Sequence, residues 1–144
     1  MIEELYQKNL MRLAANATGS QKLENPHFTE TLDNPTCGDR ITLQVKLEDG
    51  RITELSQDNR SCLLCQASAS LLAENAVGLT AEDLHKVIAQ IHKILNGEEE
   101  HAETPWEKLE YFTPVHAHKS RHLCVLLPFH ALKKILQQES ADAP

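Results

Sequence analysis

Ile41, Leu43, Val45 and Leu47 alternate with Thr42, Gln44 and Lys46, and the run ends in Glu48-Asp49-Gly50. Successive side chains of a strand point to opposite faces, so a period of two specifies a strand with one buried face. Asp49-Gly50 suits a primed hairpin turn, which needs two residues at positive φ. Arg51 to Gln57 is then the return strand, with Ile52 and Leu55 as its apolar residues. Its imperfect alternation predicts a bulge. A hairpin with one apolar face must be covered by another layer, and the remaining chain offers helices for it.

Residues 2–16 read as a helix, with Leu5, Leu10, Met11 and Leu13 at roughly helical spacing. Residues 17–36 carry Gly19, Pro26 and Pro35 and few periodic apolar positions, which predicts mostly loop. Residues 59–64 read as a third short strand or the approach to a helix. The Ala- and Leu-rich stretch from Gln66 to Val77 reads as a helix ending at Gly78. Thr80-Ala81-Glu82-Asp83 resembles a capping box. Leu84, Val87, Ile88, Ile91, Ile94 and Leu95 follow as an amphipathic helix that stops near Asn96-Gly97. A short helix is expected over 104–111, with Trp106, Tyr111 and Phe112 as its anchors. The last helix is expected over Val125 to Gln138, with Pro128 in its first turn. The sum is a single α+β domain over 1–144, a small antiparallel three-stranded sheet packed against several helices on one face. Residues 1–4 and 139–144 are expected to fray.

The formal net charge is −7 with eight neutral histidines, which argues against nucleic acid as a partner, because a phosphate backbone needs a basic field. No apolar run approaches the roughly 18–20 residues that span a bilayer, so no membrane is expected. Met1-Ile2-Glu3-Glu4 lacks the basic-then-apolar pattern of a signal peptide. These features lead us to expect a cytoplasmic protein, where cysteines stay reduced and serve metal or sulfur chemistry more than disulfides.

Asn34-Pro35-Thr36-Cys37-Gly38-Asp39 sets a thiol and a carboxylate two residues apart, just ahead of the first strand. Gly38 relieves the backbone restriction between them, so both can reach one ion. Cys62 lies at a strand-to-helix junction and Cys124 at the start of another helix, where a helix N-terminus favours thiolate. Three thiols and a carboxylate make a tetrahedral set for a soft or borderline metal. The competing reading is that free cysteines fill cores. Cys62-x-x-Cys65 is also the spacing of a redox dithiol, although a thioredoxin-like fold wants βαβ units and a hairpin precedes this pair. Cys65 is then a spare thiol near the site or a buried one. His122, two residues from Cys124, is the one histidine offered as an extra ligand.

With these residues on the page, the chain resembles the U-type iron–sulfur cluster assembly proteins, which include IscU, SufU and the N-terminal domain of NifU. The resemblance rests on Asn34-Pro35-Thr36-Cys37-Gly38-Asp39, on Cys62 followed by Gln66-Ala67-Ser68-Ala69-Ser70, and on Arg121-x-x-Cys124. It runs from about Leu5 to Leu136. The long gap between Cys62 and Cys124, and Arg121 three residues before the last cysteine, look most like SufU. IscU proteins have a histidine directly before that cysteine, where this chain has Leu123. The resemblance implies that Cys37, Asp39, Cys62 and Cys124 hold zinc. It implies that Cys37 accepts persulfide sulfur from a SufS-type cysteine desulfurase, in effect a zinc-dependent sulfurtransferase. The alternative it implies is a scaffold that assembles a transient [2Fe–2S] cluster on Cys37, Cys62 and Cys124 and passes it to apo-proteins. A structural zinc alone is the third reading. Two departures stand out: Asp58-Asn59-Arg60-Ser61 replaces a glycine-rich approach to Cys62, and Cys65 stands where SufU usually has serine.

Overall fold

The computed structural model describes residues 2–35 and 38–142. Cys37 therefore lies outside the described residues. The order is α1 (Ile2–Asn16), β1 (Phe28–Asn34), β2 (Asp39–Glu48), β3 (Arg51–Arg60), α2 (Leu63–Glu74), α3 (Ala81–Leu95), two 3₁₀ segments (Glu107–Ala117 and Lys119–Arg121) and α4 (His122–Asp142). The strands form one antiparallel sheet in the order β1-β2-β3. This is the expected α+β arrangement, with helices over the face that carries Ile41, Leu43 and Val45, all fully buried.

The central hairpin matches its sequence signals. Asp49 and Gly50 both have positive φ (53° and 76°), as a primed turn requires, and Glu48 pairs with Arg51 across it. The register slips between Lys46 and Leu47, which leaves Thr53 as the extra residue of the return strand. Its hydroxyl donates to the Lys46 carbonyl at 3.2 Å. The expected bulge is therefore present.

Other expectations need correction. Of the two readings of 59–64, the approach to a helix holds and the third strand does not: Asn59 and Arg60 complete β3, and α2 begins at Leu63. The third strand is β1, inside the stretch expected to be loop. It is an edge strand with alternating half-buried and exposed residues, and only Phe28 and Leu32 give it an apolar face. α2 starts and stops three residues earlier than expected. The segment expected as a helix over 104–111 is the 3₁₀ turn series Glu107–Ala117, within which Leu109, Phe112 and Val115 are buried. α4 starts at His122, so Pro128 sits within the helix instead of its first turn. Its missing N–H cannot bond to the carbonyl four residues back, at Cys124. Ser68 of α2 donates its hydroxyl to the next carbonyl along, that of Val125, and so ties the two helices together.

α3 is the best-specified helix. Thr80 Oγ1 accepts from Asp83 N and Asp83 Oδ2 accepts from Thr80 N, both at 3.1 Å, closing the capping box. All six residues of its apolar stripe are buried. α4 packs on β1, β2, α2 and α3, and Phe129 within it meets Trp106 at a ring-centroid distance of 5.8 Å. Trp106 is thus a core anchor, as expected.

Candidate metal centre

Three separate elements end at one place. β2 begins at Asp39, α2 is capped by Cys62, and Cys124 is the third residue of α4. Each donor sits at an element's first turn or strand end because each is followed by a sequence that must fold inward. Thr42 to Leu47 drives β2 into the sheet, the Leu/Ala-rich run buries α2, and Val125 to Leu136 buries α4. The carboxylate oxygen and the two sulfurs all lie within 4.8 Å of one another. Asp39 and Cys124 are buried, at 2% and 0% exposure, while Cys62 is half-buried and gives the site its opening.

Asp39 Oδ1 accepts the Cys62 backbone N–H at 2.9 Å, and its other oxygen lies 3.8 Å from Cys62 Sγ. The strand end and the helix start are thus joined through the carboxylate. Among the described residues, no cationic side chain forms an ion pair with Asp39. A buried carboxylate without a cationic partner is costly unless a bound cation supplies the charge. Zinc–sulfur and zinc–oxygen bonds of about 2.0–2.3 Å in a tetrahedron would put donors roughly 3.3–3.8 Å apart. The observed spacing needs only a small contraction, so these residues fit a borderline dication with a fourth donor from elsewhere.

Asn34, at the end of β1, is also part of the site. It is buried at 4% exposure, and its Nδ2 donates to Cys124 Sγ at 3.9 Å. Sequence reasoning quoted it only as the first residue of a motif. The β1–β2 hairpin, unannounced by the sequence, brings it there: Asn34 pairs with Asp39 across the 35–38 connection, so both stand at the same sheet end. Gly38 closes that connection with φ +72°, where a side chain would be strained.

Cys65 is fully buried and donates its thiol to Asn59 Oδ1 at 3.5 Å. Burial pushes this thiol up to about 12, with the charges of Asp39 and Cys62 adding to the rise and a hydrogen bond with Ser61 opposing it. It is not among the converging donors. Asn59 Oδ1 also accepts from Ser61 Oγ, and Asn59 Nδ2 donates to Gln57 Oε1, each at 2.6 Å. The polar approach to Cys62 is therefore a side-chain network holding the loop in place of glycines. His122 is not a donor here either: its Nε2 lies 3.1 Å from the Val115 carbonyl, and it caps the end of the 3₁₀ segment. Arg121 is exposed and lines a surface groove with Met11, Leu63 and Pro114, beside Cys62. No helix among the described residues is long and apolar enough to cross a membrane.

A family model described as NifU-like N terminal domain matches residues 5–113. A Thermotoga maritima protein named iron-sulfur cluster assembly scaffold protein IscU is 28% identical over 136 residues, 94% of this chain and 95% of that one. A Bacillus subtilis protein named zinc-dependent sulfurtransferase SufU is 25% identical over 138 residues, covering 96% and 93% of the two chains. The crystal structure of a NifU-like protein (N-terminal) from Brucella abortus superposes with a TM-score of 0.90 at 30% identity, covering 99% of both chains.

Proposed function

This chain belongs to the NifU-like N-terminal domain family of iron–sulfur cluster assembly proteins, and from that premise we propose that it is a zinc-bound sulfur acceptor for a cysteine desulfurase. Cys37, Asp39, Cys62 and Cys124 hold the metal. The observation that carries this reading is the convergence of Asp39, Cys62 and Cys124, with a buried carboxylate that has no cationic side-chain partner among the described residues. Cys37 is the natural fourth donor because it is two residues from Asp39 on the connection that ends at the site. Bound there, zinc keeps the thiols deprotonated and protected without redox chemistry of its own.

Cys37 is the acceptor. Its thiolate attacks the outer sulfur of the desulfurase persulfide, the S–S bond breaks, and the desulfurase cysteine leaves as thiolate. Asp39 is the hardest donor of the four and so the weakest toward a borderline metal, which makes it the ligand that yields most easily. Arg121, and Leu123 in place of a histidine before Cys124, support the sulfur-acceptor reading. The partners are a SufS-type desulfurase and downstream apo-proteins in a cytoplasmic setting. The test is a desulfurase assay with metal-quantified protein. Wild type should carry one zinc and speed alanine release by the cognate desulfurase, and Cys37→Ala should not. Unchanged turnover with wild type would overturn the reading.

The second reading is a scaffold on which a [2Fe–2S] cluster is assembled as cargo on Cys37, Cys62 and Cys124. The scaffold name carried by the Thermotoga maritima relative favours it. Anaerobic reconstitution should then give an oxygen-sensitive visible chromophore that transfers to an apo-protein. A colourless product counts against it.

A further inference from the structure

Cys65 is the one cysteine of the four that the proposed chemistry does not use. It is the third residue of α2, and Cys62 is the N-cap of the same helix. N-cap and third-residue side chains face each other across a helix's first turn. α3 shows the closeness of these two positions, where Thr80 and Asp83 each accept the other's backbone N–H through their side chains. In α2 the N-cap side chain makes no capping bond, and the same two positions both carry thiols. Helical rise and radius put such residues roughly 5 Å apart at Cα, inside the window of about 4.4–6.8 Å that a disulfide spans. Cys65 is buried behind Cys62, while Cys62 is half-buried and faces the opening. An oxidant from solvent therefore meets Cys62 first and Cys65 only through it.

We propose that Cys62 and Cys65 form a reversible disulfide that withdraws Cys62 from the donor set when the metal-free site meets a low-molecular-weight disulfide such as oxidised glutathione. The Cys62 thiolate attacks one sulfur of oxidised glutathione, forming a mixed disulfide and releasing one glutathione thiolate. The Cys65 sulfur then attacks Cys62 Sγ, and its proton passes to the departing second glutathione, which leaves as thiol. Two electrons pass from the cysteine pair to glutathione, so one disulfide is made and one is consumed. The oxidised chain keeps Cys37, Asp39 and Cys124 but has lost one of the four proposed donors, the half-buried sulfur at the opening, so it takes up metal far more weakly. The same bond keeps Cys62 from the irreversible rungs of thiol oxidation, and a reducing thiol restores the site.

The test uses the full chain, stripped of metal with a chelator and exposed to oxidised glutathione. Remaining thiols are alkylated, and trypsin releases Ser61–Lys86, which contains both cysteines and no other. The expected product is this peptide lighter by two hydrogens and unalkylated, with loss of zinc uptake that dithiothreitol fully reverses. Cys65→Ser should instead stop at the Cys62–glutathione adduct and still take up zinc before oxidation; Cys65→Ala serves if the serine variant fails to fold. Wild-type peptide with Cys65 alkylated, or Cys62 joined to Cys37 or Cys124, would overturn the proposal. The peptide mass does not depend on sulfur transfer, so this outcome is separable from failure of the sulfur-acceptor reading.

Discussion

Replacing Asp39 by Asn should stabilise the metal-free chain while weakening its response to metal. Asn keeps an oxygen that can accept the Cys62 N–H now held at 2.9 Å, and its amide can face Cys62 Sγ where the carboxylate oxygen lies at 3.8 Å. Shape and packing change little, and what is removed is a charge at 2% exposure with no cationic side-chain partner among the described residues. Relief of an uncompensated buried charge contributes about 1–3 kcal/mol. At about 3 °C per kcal/mol for a domain of this size, the metal-free melting temperature should rise by roughly 3–9 °C. Losing one ligand should weaken metal binding by at least about 10–100-fold, or roughly 1.4–2.8 kcal/mol of linked stabilisation. The increment in melting temperature on adding zinc should then shrink by roughly 4–8 °C. Differential scanning fluorimetry of chelator-treated and zinc-loaded protein reads both quantities. A metal-free variant that melts at or below wild type would refute the reasoning, because the carboxylate would then be compensated without a cation.

Three further outcomes follow from the packing and the caps. Phe129→Ala should cost about 3–5 kcal/mol in urea unfolding, because Phe129 is fully buried and stacks at an angle on Trp106; a loss under about 1 kcal/mol would show that α4 tolerates the cavity. Asp83 is held below its ordinary value of 3.8, first by hydrogen bonds with the Thr80 backbone and side chain. A depressed carboxyl contributes stability that is complete above the unfolded value and lost as pH falls through the folded one. The stability gap between wild type and Asp83→Asn should therefore be present at neutral pH and close in acid below 3.8, and a gap that persists there would contradict the cap's ionic character. Cys65→Ser should still bind one zinc, since Cys65 bonds to Asn59 and stands outside the converging donors; loss of stoichiometric zinc from a folded variant would make Cys65 a ligand.

The parts of the fold that were legible are those where local chemistry and burial agree. The alternation from Ile41 to Leu47, the Asp49-Gly50 turn and the capped apolar stripe of α3 each satisfy propensity, turn chemistry and core placement at once. β1 was not legible because an edge strand needs only one neighbour and one partly covered face. Thr29, Glu30, Thr31 and Asp33 are polar, and Glu30 is held at the sheet edge by Gln138 and Lys134 of α4, a contact over a hundred residues away in sequence. The start of α4 was misplaced for a related reason. Pro128 argues locally for a helix beginning just before it, but the turn ahead of it is held by packing of α4 on α2 and the sheet, which no local signal contains. At the candidate site, Asp39, Cys62 and Cys124 were legible from residue type and position at element ends. Asn34 became legible only through pairing across the hairpin, and the Gln57–Asn59–Ser61 network only through three-dimensional contacts.

On the proposed function, sulfur from a desulfurase persulfide comes to rest on Cys37. The most direct test incubates the zinc-loaded chain with a SufS-type desulfurase and cysteine, traps persulfides by alkylation, and maps the sulfur by peptide mass spectrometry. One added sulfur is expected on the peptide carrying Cys37, absent when the desulfurase's own cysteine is removed. Added sulfur confined to Cys62, Cys65 or Cys124, or none on a chain shown to be folded and zinc-bound, would contradict it.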